Sequence, residues 1–242
     1  MQCPKNDLKR KQMKDIPYAS IIGSLMCDQT CTRPDISFAV DMLGRYQSNP
    51  GLENWKAAKK VLRYLQGKKN HMLAYKKFDH IEVISYTDSD FVNCMNTRKS
   101  IFGYVYLLVG GAISWKSVKQ SVIVASTMKV EFIACFEATI QANWLRKFIL
   151  ELEVADSVAK SLKFYCDNSA VVFFSKNNGY SKGTKHMELK YFVIREEIHK
   201  CRMSIEHIST YLMMVDPLTK GLSPKLFVSY VKNMSIMSTI EY

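Results

Sequence analysis

The chain has 242 residues, of which 48% are hydrophobic, and a formal net charge of +12. This composition is typical of a globular protein with one large domain, or a medium domain with an appendage. No apolar run approaches the roughly 18 residues of a membrane span, and the N-terminal segment lacks the apolar core of a signal peptide. The basic excess favours a polyanionic partner, nucleic acid before membrane, over the alternative of a merely soluble basic protein.

The seven cysteines are scattered along the chain without a paired C-x-x-C pattern. Cys27 and Cys31 lie four residues apart, but no second pair and no nearby histidine completes a zinc-binding set. This distribution predicts reduced, mostly buried thiols in an intracellular compartment.

The N-terminal part of the chain is predicted to be helical. Residues 1–15 are polar and basic and should form a poorly ordered start. Two helices follow in residues 16–46, with Pro34 at the start of the second and Thr32 as a candidate cap. Residues 55–66 form the clearest helix, and its lysines indicate either a solvated face or a surface that faces phosphates.

The segment Ile81–Asp90 is predicted to be a buried strand, because its residues alternate between its two faces. It ends in two carboxylates, Asp88 and Asp90. A strand that carries a carboxylate to its exposed end can hold a metal ion, although Asp and Ser also simply terminate strands in turns.

The elements that follow predict an α/β fold with a mixed sheet. Gly110-Gly111 separates two apolar runs and indicates a hairpin, so three antiparallel strands are expected in succession. A long helix from Ser126 to about Leu150 then leads to a strand at Leu162–Cys166. Such a crossover places the fourth strand parallel to the first, and further helices and a last strand at Met203–Ser209 complete the order.

Four carboxylates are expected to meet at one edge of this sheet. Asp88 and Asp167 end neighbouring parallel strands, Glu131 lies early in the crossover helix, and Asp216 begins the last helical region. Ligand sites in open α/β sheets lie at the carboxyl ends of the strands. Carboxylates forced together repel one another, and a pair of divalent cations removes that cost. Mg²⁺ suits oxygen ligands, which in a basic chain indicates phosphodiester chemistry on nucleic acid.

Phrases along nearly the whole chain carry a family resemblance. They are YASIIGSLM (18–26), TRPDISFAV (32–40), WKAAKKVLRYLQG (55–67), YTDSDF (86–91), RKSIFGYVYLL (98–108), AISWKSVKQSVIVAST (112–127), EFIA (131–134), CDNSAV (166–171), TKHMELKYFVIRE (184–196) and DPLTKGL (216–222). The sequence resembles the C-terminal part of a copia-type LTR retrotransposon Pol polyprotein, which ends in a ribonuclease H domain.

The resemblance implies a domain organisation. Residues 79–224 would form a ribonuclease H-like domain, a mixed five-stranded sheet flanked by helices. Residues 16–78 would be a helical remnant of the end of the reverse transcriptase and its connection, and residues 225–242 a helical tail. The polymerase Tyr-x-Asp-Asp segment would lie upstream, so no polymerase activity is expected from this chain.

The resemblance also implies an activity, which is two-metal hydrolysis of the RNA strand of RNA–DNA hybrids. The catalytic metal ligands would be Asp88, Glu131, Asp167 and Asp216, with two Mg²⁺ ions, or Mn²⁺ as the alternative. Asp88 would be common to both ions, with Asp216 at one and Glu131 and Asp167 at the other. The upstream reverse transcriptase would be a partner, and the location would be a cytoplasmic retrotransposon particle or the nucleus.

Five further residues are candidates for contact with nucleic acid: Asn168, Lys185, His186, Lys190 and Arg195. For His186 the alternative is a helix-start or core role, and for Asn168 helix capping is the preferred interpretation. His207, on the last strand, is expected to be buried and hydrogen-bonded rather than catalytic. Asp90 is expected to have a supporting or structural role.

Several positions depart from the family pattern. Lys129 replaces an acidic residue, Phe91-Val92-Asn93 replaces Trp-Ala-Gly, Cys27-Asp28 replaces Tyr-Ala, and Val215 replaces Ala. None of these changes removes a predicted metal ligand. Together they leave open a catalytically silent remnant that at most binds nucleic acid. Integrase-like strand transfer is a third reading, disfavoured by the order of the four carboxylates.

Overall fold

The structure is a computed structural model that describes residue 3 and residues 11–75, 82–90, 99–120, 126–152, 161–177 and 185–239. Within these ranges the helices are α1 (Tyr18–Cys31), α2 (Ser37–Gly44), α3 (Leu52–Gly67), α4 (Thr127–Glu151), α5 (Ser169–Lys176), α6 (Lys185–His199), α7 (Asp216–Thr219) and α8 (Pro224–Asn233). The strands are β1 (His71–Leu73), β2 (Val83–Asp90), β3 (Ile101–Leu108), β4 (Gly111–Lys119), β5 (Leu162–Cys166), β6 (Met203–His207) and β7 (Ile236–Ser238).

Five strands form one mixed sheet in the order β4-β3-β2-β5-β6. The pairs β2–β3 and β3–β4 are antiparallel, whereas β2–β5 and β5–β6 are parallel. Helix α4 makes the crossover that brings β5 beside β2. The predicted mixed α/β architecture is therefore confirmed.

The first long strand ends where its sequence predicts. The segment Ile81–Asp90 is predicted to be a strand, and β2 (Val83–Asp90) continues through both carboxylates instead of turning at Asp88. The reason is the long β3 partner, since Ser89 pairs with Phe102 and Asp90 pairs with Ile101. Asp88 therefore lies on a paired strand rather than in a turn, which fixes its position.

Each face of the sheet is covered by its own apolar layer. On one face Tyr106 and Phe164 pack with Phe132 and Ala138 of α4. On the other face Val105 packs with residues from the C-terminal part of the chain, including Leu218 and Met234. A sheet buried on both faces explains why its strands read as nearly continuous apolar runs.

The N-terminal helices form a third apolar cluster, in which Tyr18, Ile22 and Val40 pack against Ala58 of α3. The predicted helices are present, but Thr32 follows the end of α1 and no side-chain cap forms there. A short 3-10 turn, Pro34–Ile36, precedes α2 instead. Proline fixes the backbone of this turn and leaves no amide that would need a cap.

The C-terminal segment differs from the predicted helical tail. Helix α8 ends at Asn233, and β7 then pairs antiparallel with β1 in a separate two-stranded sheet. The backbone amide of Ala74 also donates to the carbonyl of Ser235 at 2.9 Å. The tail is a strand here because Ile236 has an apolar layer to enter, beside Met234. It joins the N-terminal helices to the rest of the protein.

Two further contacts fix the N-terminal helices against the sheet domain. The indole N–H of Trp115 in β4 donates to the carbonyl of Gln29 in α1 at 2.7 Å. The rings of Tyr64 in α3 and Phe227 in α8 meet edge to face, with centroids 5.8 Å apart. These helices therefore pack directly on the sheet domain.

The six described cysteines are all free thiols. Four of them (Cys3, Cys27, Cys31 and Cys201) are exposed, so the prediction of mostly buried thiols is wrong for the described part of the chain. Cys27 and Cys31 lie on the solvent side of α1, whose apolar face is turned to the N-terminal cluster. None of the described helices combines the length and apolar character that crossing a bilayer requires.

Candidate metal centre

Asp88 is held by the sheet and is almost fully buried, with 4% of its surface exposed. It pairs in register with Gly103 of β3. A Cβ atom at Gly103 would come within 3.0 Å of the Thr219 Cγ2 atom and 3.2 Å of Val215 Cγ2. Because Gly103 has no side chain, α7 can lie directly against the sheet next to Asp88.

Glu131 is carried to the same place by the first turns of α4 and is also buried. Its Oε1 atom accepts a hydrogen bond from the backbone N–H of Ser89 at 3.3 Å. Its Oε2 atom is buried and has no hydrogen-bond partner among the described residues. An unpartnered buried carboxylate oxygen is costly, and a bound cation would remove that cost.

Asp167 directly follows β5 and lies beside Glu131. One ligand atom each from Glu131, Cys166 and Asp167 lies within 4.8 Å of the other two. The Oδ2 atom of Asp167 accepts a hydrogen bond from the Thr210 hydroxyl at 3.0 Å. The parallel pairing of β2 with β5 is what brings this end of β5 next to Asp88.

Asp216 begins α7 and is joined to Asp88 through two neighbouring side chains. The Lys220 ammonium lies 2.9 Å from Asp216 Oδ1 and 3.7 Å from Asp88 Oδ2. The Thr219 hydroxyl donates to Asp88 Oδ2 at 2.6 Å. Lys220 therefore bridges two of the four carboxylates and partly neutralises them.

The electrostatics of the four carboxylates show that they act on one another. Burial raises the pKa of Asp88, although Lys220 and Thr219 oppose the rise. Burial, followed by the charge of Asp88, raises the pKa of Glu131 well above its usual range. Burial also raises the pKa of Asp216 to about 6, against the lowering effect of Lys220 and with a contribution from Asp167. The charged forms of Asp88, Glu131 and Asp216 are therefore disfavoured in the metal-free protein.

The donor set fits hard divalent cations. Carboxylate oxygens are the ligands that Mg²⁺ takes in proteins, together with water and phosphate. The four carboxylates converge at one sheet edge, and the free Oε2 of Glu131 gives the site an open ligand atom. Among the described residues, the group whose ligand atoms are already close enough to hold one ion is Glu131, Asp167 and the Cys166 thiol, whereas Asp88 and Asp216 are not part of it.

Comparison with known proteins identifies the family. The chain is 38% identical over 218 residues to the retrovirus-related Pol polyprotein from transposon TNT 1-94 of Nicotiana tabacum. It is 30% identical over 220 residues to that from transposon RE2 of Arabidopsis thaliana. These alignments cover 90% and 91% of the chain. The chain belongs to the retrovirus-related Pol polyproteins of copia-type transposons.

The chain spans only 16% and 15% of the length of these two Pol polyproteins, so it corresponds to one segment of them. It is also 38% identical over 133 residues to secreted RxLR effector protein 161 of Plasmopara viticola, an alignment that covers 55% of this chain and 94% of that protein. No protein-family model matches the chain.

The chain is similar in structure to parts of solved proteins. The foamy viral protease-reverse transcriptase in complex with RNA/DNA hybrid matches 90% of this chain and 29% of its own, with 11% identity and a TM-score of 0.50. An RNase H1 from Halobacterium salinarum matches 53% of this chain and 86% of its own, with 17% identity and a TM-score of 0.39. The strand order and mixed pairing of this Pol segment are those of a ribonuclease H-like fold, which confirms the predicted fold class.

The residues predicted to contact nucleic acid lie in different environments in the Pol segment. Asn168 caps α5, since its Oδ1 accepts from the amides of Ala170 and Val171 at 3.1 and 3.3 Å. The capping interpretation is thus confirmed. Helix α6 begins at Lys185, but the side chains of Lys185 and His186 lie outside the described residues.

Lys190 and Arg195 have partners within the Pol segment. The Lys190 ammonium lies 4.2 Å from the ring centre of Phe136 and 3.9 Å from the Glu137 carboxylate. The Arg195 guanidinium donates to backbone carbonyls at the end of α5, including that of Asn177 at 2.6 Å. Both side chains hold α6 in place, and their contact with nucleic acid stays a prediction.

His207 was expected to be buried, but it is exposed. Its Nε2 atom lies 3.1 Å from the backbone carbonyl of Asp167, so the expected hydrogen bond is present. The strand β6 ends at His207, which places the ring at the open edge of the sheet rather than in the core. It therefore lies next to the acidic cluster.

Sequence reasoning missed Lys220, Thr219 and Cys166 as members of this site. Lys220 follows Asp216 by four residues, the spacing of an ion pair on one helical face, which is a signal that could have indicated it. Cys166 precedes Asp167, and alternation along a strand would have placed its side chain on the opposite face. Only the approach of Glu131 from α4 brings Cys166 into the cluster.

The departures from the family pattern leave the acidic cluster intact. Lys129 is partly buried in the first turn of α4, and Asp28 lies exposed on α1. Val215 is fully buried in the apolar layer under α7. Residues 91–93 lie outside the described residues.

Proposed function

We propose that this chain is the ribonuclease H part of a Pol polyprotein and hydrolyses the RNA strand of RNA–DNA hybrids. The observation that supports the proposal is the convergence of Asp88, Glu131, Asp167 and Asp216 at one edge of the sheet. Three of these carboxylates are buried and repel one another, and Lys220 is the lysine that the described residues place beside them, so their charged forms are costly unless they bind cations. A two-metal hydrolase is the function that uses this arrangement.

In this proposal each carboxylate has a defined task. Asp88, on the central strand, contributes to both metal positions; Asp216 completes one, and Glu131 and Asp167 complete the other. Bound Mg²⁺ would supply a nucleophilic water and stabilise the leaving oxygen. The sheet keeps Asp88 fixed, while Thr219 orients it through a 2.6 Å hydrogen bond. The Ser89 amide orients Glu131 from the neighbouring backbone.

The substrate and partners of the proposal follow from charge and from relatives. A net charge of +12 favours binding to a polyanion. The similar foamy viral protease-reverse transcriptase was solved with RNA/DNA hybrid, and this supports a hybrid substrate here. The upstream reverse transcriptase portion of the same polyprotein is the proposed protein partner, and a cytoplasmic particle or the nucleus is the proposed location.

We also propose the domain limits. Residues 79–224 would carry the catalytic site, with residues 1–15 as a basic start, residues 16–78 as the connection remnant and residues 225–242 as the tail. The pairing of β1 with β7 supports a joint unit formed by the two flanking segments.

Cleavage of a labelled RNA–DNA hybrid in Mg²⁺ tests the activity. We expect the wild-type chain to cut the RNA strand and Asp88→Asn to lose at least about 100-fold in rate, because metal stabilisation of the transition state is worth several kcal/mol. Asp90→Asn is the matched control, since it removes the same charge from the same strand two residues away. It should keep most of the activity.

The assay separates the proposal from the silent remnant. A folded wild-type chain that binds the hybrid without cutting it would overturn the enzyme proposal and favour the remnant. Cleavage that survives in Asp88→Asn would overturn the site assignment instead. Isothermal titration with Mg²⁺ alone, without nucleic acid, shows independently whether the carboxylates bind metal.

A further inference from the structure

A cysteine lies within the acidic cluster, in a position where it can share a ligand. We define the thiol–carboxylate cluster as Glu131, Cys166 and Asp167, whose ligand atoms all lie within 4.8 Å of one another. Cys166 is fully buried and Glu131 is 4% exposed. The Oε2 atom of Glu131 is the second observation that indicates a ligand here, because it is buried without a hydrogen-bond partner in the described structure.

We propose that the thiol–carboxylate cluster binds a thiophilic divalent cation of the zinc or cadmium class, with Cys166 Sγ as the ligand that selects it. A thiolate prefers such ions, whereas Mg²⁺ takes oxygen ligands only. Coordination replaces the thiol proton, which leaves to solvent, so the bound sulfur is a thiolate. Glu131 and Asp167 supply oxygen ligands, and water completes the coordination.

The distances of the cluster suit this chemistry. Zinc lies about 2.3 Å from sulfur and about 2.0–2.2 Å from carboxylate oxygen, so ligand atoms of a tetrahedral ion are roughly 3.6 Å apart. The observed limit of 4.8 Å requires only a small inward shift of the side chains. The free oxygen of Glu131 can make that shift without breaking a hydrogen bond to a described residue.

The neighbouring thiol of Cys135 is within hydrogen-bond reach of the Cys166 thiol, so it is the competing sulfur ligand that the test must exclude. Cys135 is also buried, and its Sγ atom lies 3.3 Å from the Thr87 hydroxyl. The Cys166 Sγ atom accepts a hydrogen bond from the backbone N–H of Asn168 at 3.5 Å. Cys135 is not a member of the cluster as its distances define it. Serine at position 135 or 166 keeps the shape of the side chain. Only Cys166→Ser removes a proposed sulfur ligand.

Metal binding by the cluster does not depend on the proposed function, but the expected inhibition of cleavage rests on it. A zinc-class ion at Glu131 and Asp167 would occupy two of the carboxylates proposed for Mg²⁺, and it would therefore inhibit cleavage. Binding itself requires no catalysis. The two ideas can fail separately, because metal binding is measured without nucleic acid and cleavage is measured with Mg²⁺ alone.

The test is a Cd²⁺ titration of the full chain in which Cys3, Cys27, Cys31, Cys94 and Cys201 are replaced by serine. We expect sulfur-to-metal charge-transfer absorption in the near ultraviolet that saturates at one equivalent. Cys166→Ser should abolish it, and Glu131→Gln should weaken the binding at least about tenfold, as for altered metal-site ligands. Cys135→Ser and Glu137→Gln, on the same helix as Glu131, should leave the affinity within about twofold.

Charge transfer that persists in Cys166→Ser, or that disappears in Cys135→Ser alone, would overturn the proposal. Circular dichroism checks that each variant is folded, and Cys166→Ala replaces Cys166→Ser if the serine variant is not. Excess Mg²⁺ should raise the apparent dissociation constant for Cd²⁺, since the two ions share carboxylates. Independence from Mg²⁺ would contradict the shared site.

Discussion

The N-terminal helices and the sheet domain both bury charged side chains, but they balance the charge differently. In the N-terminal helices the Arg33 guanidinium donates two hydrogen bonds to the Asp35 carboxylate, at 3.0 and 2.7 Å. The Tyr64 hydroxyl donates a third to the same carboxylate at 2.6 Å. In the sheet domain the described structure places one ammonium, that of Lys220, beside two of the four carboxylates, Asp88 and Asp216. We name the first group the Arg33–Asp35 pair and the second the acidic quartet.

The contrast separates structural charge from functional charge. In the Arg33–Asp35 pair the charges are equal and both Asp35 oxygens accept hydrogen bonds. Such a pair holds a geometry and has nothing left to bind. The acidic quartet keeps surplus negative charge and an unpartnered oxygen on Glu131. Protonation or a bound metal cation can satisfy that group, so the imbalance itself indicates a binding site.

The Arg33–Asp35 pair and the lysine beside the acidic quartet meet at one pocket. Its volume is about 250 Å³, and its lining includes Asp35, Tyr64, Lys220 and Phe227. The segment after Asp216 is therefore packed against the N-terminal helices. Changes in either group can be compared within one molecule.

The largest expected effect is on the balanced pair. Arg33→Met leaves the Asp35 charge buried with Tyr64 as its remaining side-chain partner, which should lower the free energy of unfolding by about 3–5 kcal/mol. Urea denaturation followed by circular dichroism measures this. The double variant Arg33→Met with Asp35→Asn should recover most of the loss. A loss below about 1 kcal/mol in the single variant would show that the pair is not structural.

In the acidic quartet, removal of a charge should stabilise the folded protein instead of destabilising it. Asp216→Asn in EDTA at pH 7.5 should raise the free energy of unfolding by about 1–3 kcal/mol, because burial penalises the charged carboxylate. Thermal unfolding measures the change. Asp28→Asn removes an exposed carboxylate from α1 and should change little. A destabilised Asp216→Asn would mean that the quartet is already balanced by Lys220.

A smaller loss is expected when the third hydrogen bond of the pair is removed. Tyr64→Phe should cost about 1.5 kcal/mol, because its hydroxyl donates to a charged acceptor. Tyr75→Phe is the control, since its hydroxyl donates to the neutral carbonyl of Ala112 at 2.7 Å and should cost about 1 kcal/mol or less. Equal costs in urea denaturation would show that the charge of Asp35 adds nothing.

The smallest effect is a dependence on pH. The folded-state pKa of Asp216 is about 6, above the value of about 3.9 in an unfolded chain. The folded protein therefore binds the proton first, and its stability falls as the pH rises through 6. Metal-free protein should gain about 1 kcal/mol between pH 7.5 and pH 5. Asp216→Asn should flatten the thermal-unfolding profile, and an unchanged slope would refute this assignment.

Much of the sheet domain could be predicted from its sequence because local patterns and topology agree there. Apolar runs indicated the strands, and the crossover by α4 placed Asp167 next to Asp88. The rule that the ends of parallel strands meet at one edge predicted Asp88 and Asp167 together, whereas Glu131 and Asp216 were placed from their positions on helices. Lys220 and Cys166 were missed because their roles depend on where α7 and α4 approach the sheet, and no local pattern encodes that distance.

The flanking segments were harder to predict. The strand β1 has three residues within a basic stretch, and its partner β7 lies more than 160 residues away. Such short strands exist only because a partner and the apolar layer around Met234 are present. The Arg33–Asp35 pair lies within a phrase that resembles the family, but its link to Tyr64 of α3 requires the folded helices.

Because β1 pairs with β7, residues near the C-terminus matter for the structure of a transposon copy that accumulates mutations. A late stop codon before Ile236 would leave every carboxylate of the quartet encoded, yet it would remove the partner of His71–Leu73. The N-terminal helices would then lose one of their attachments to the sheet domain. Among diverged genomic copies, an intact acidic quartet is therefore no guarantee that the N-terminal helices remain fully attached to the sheet domain.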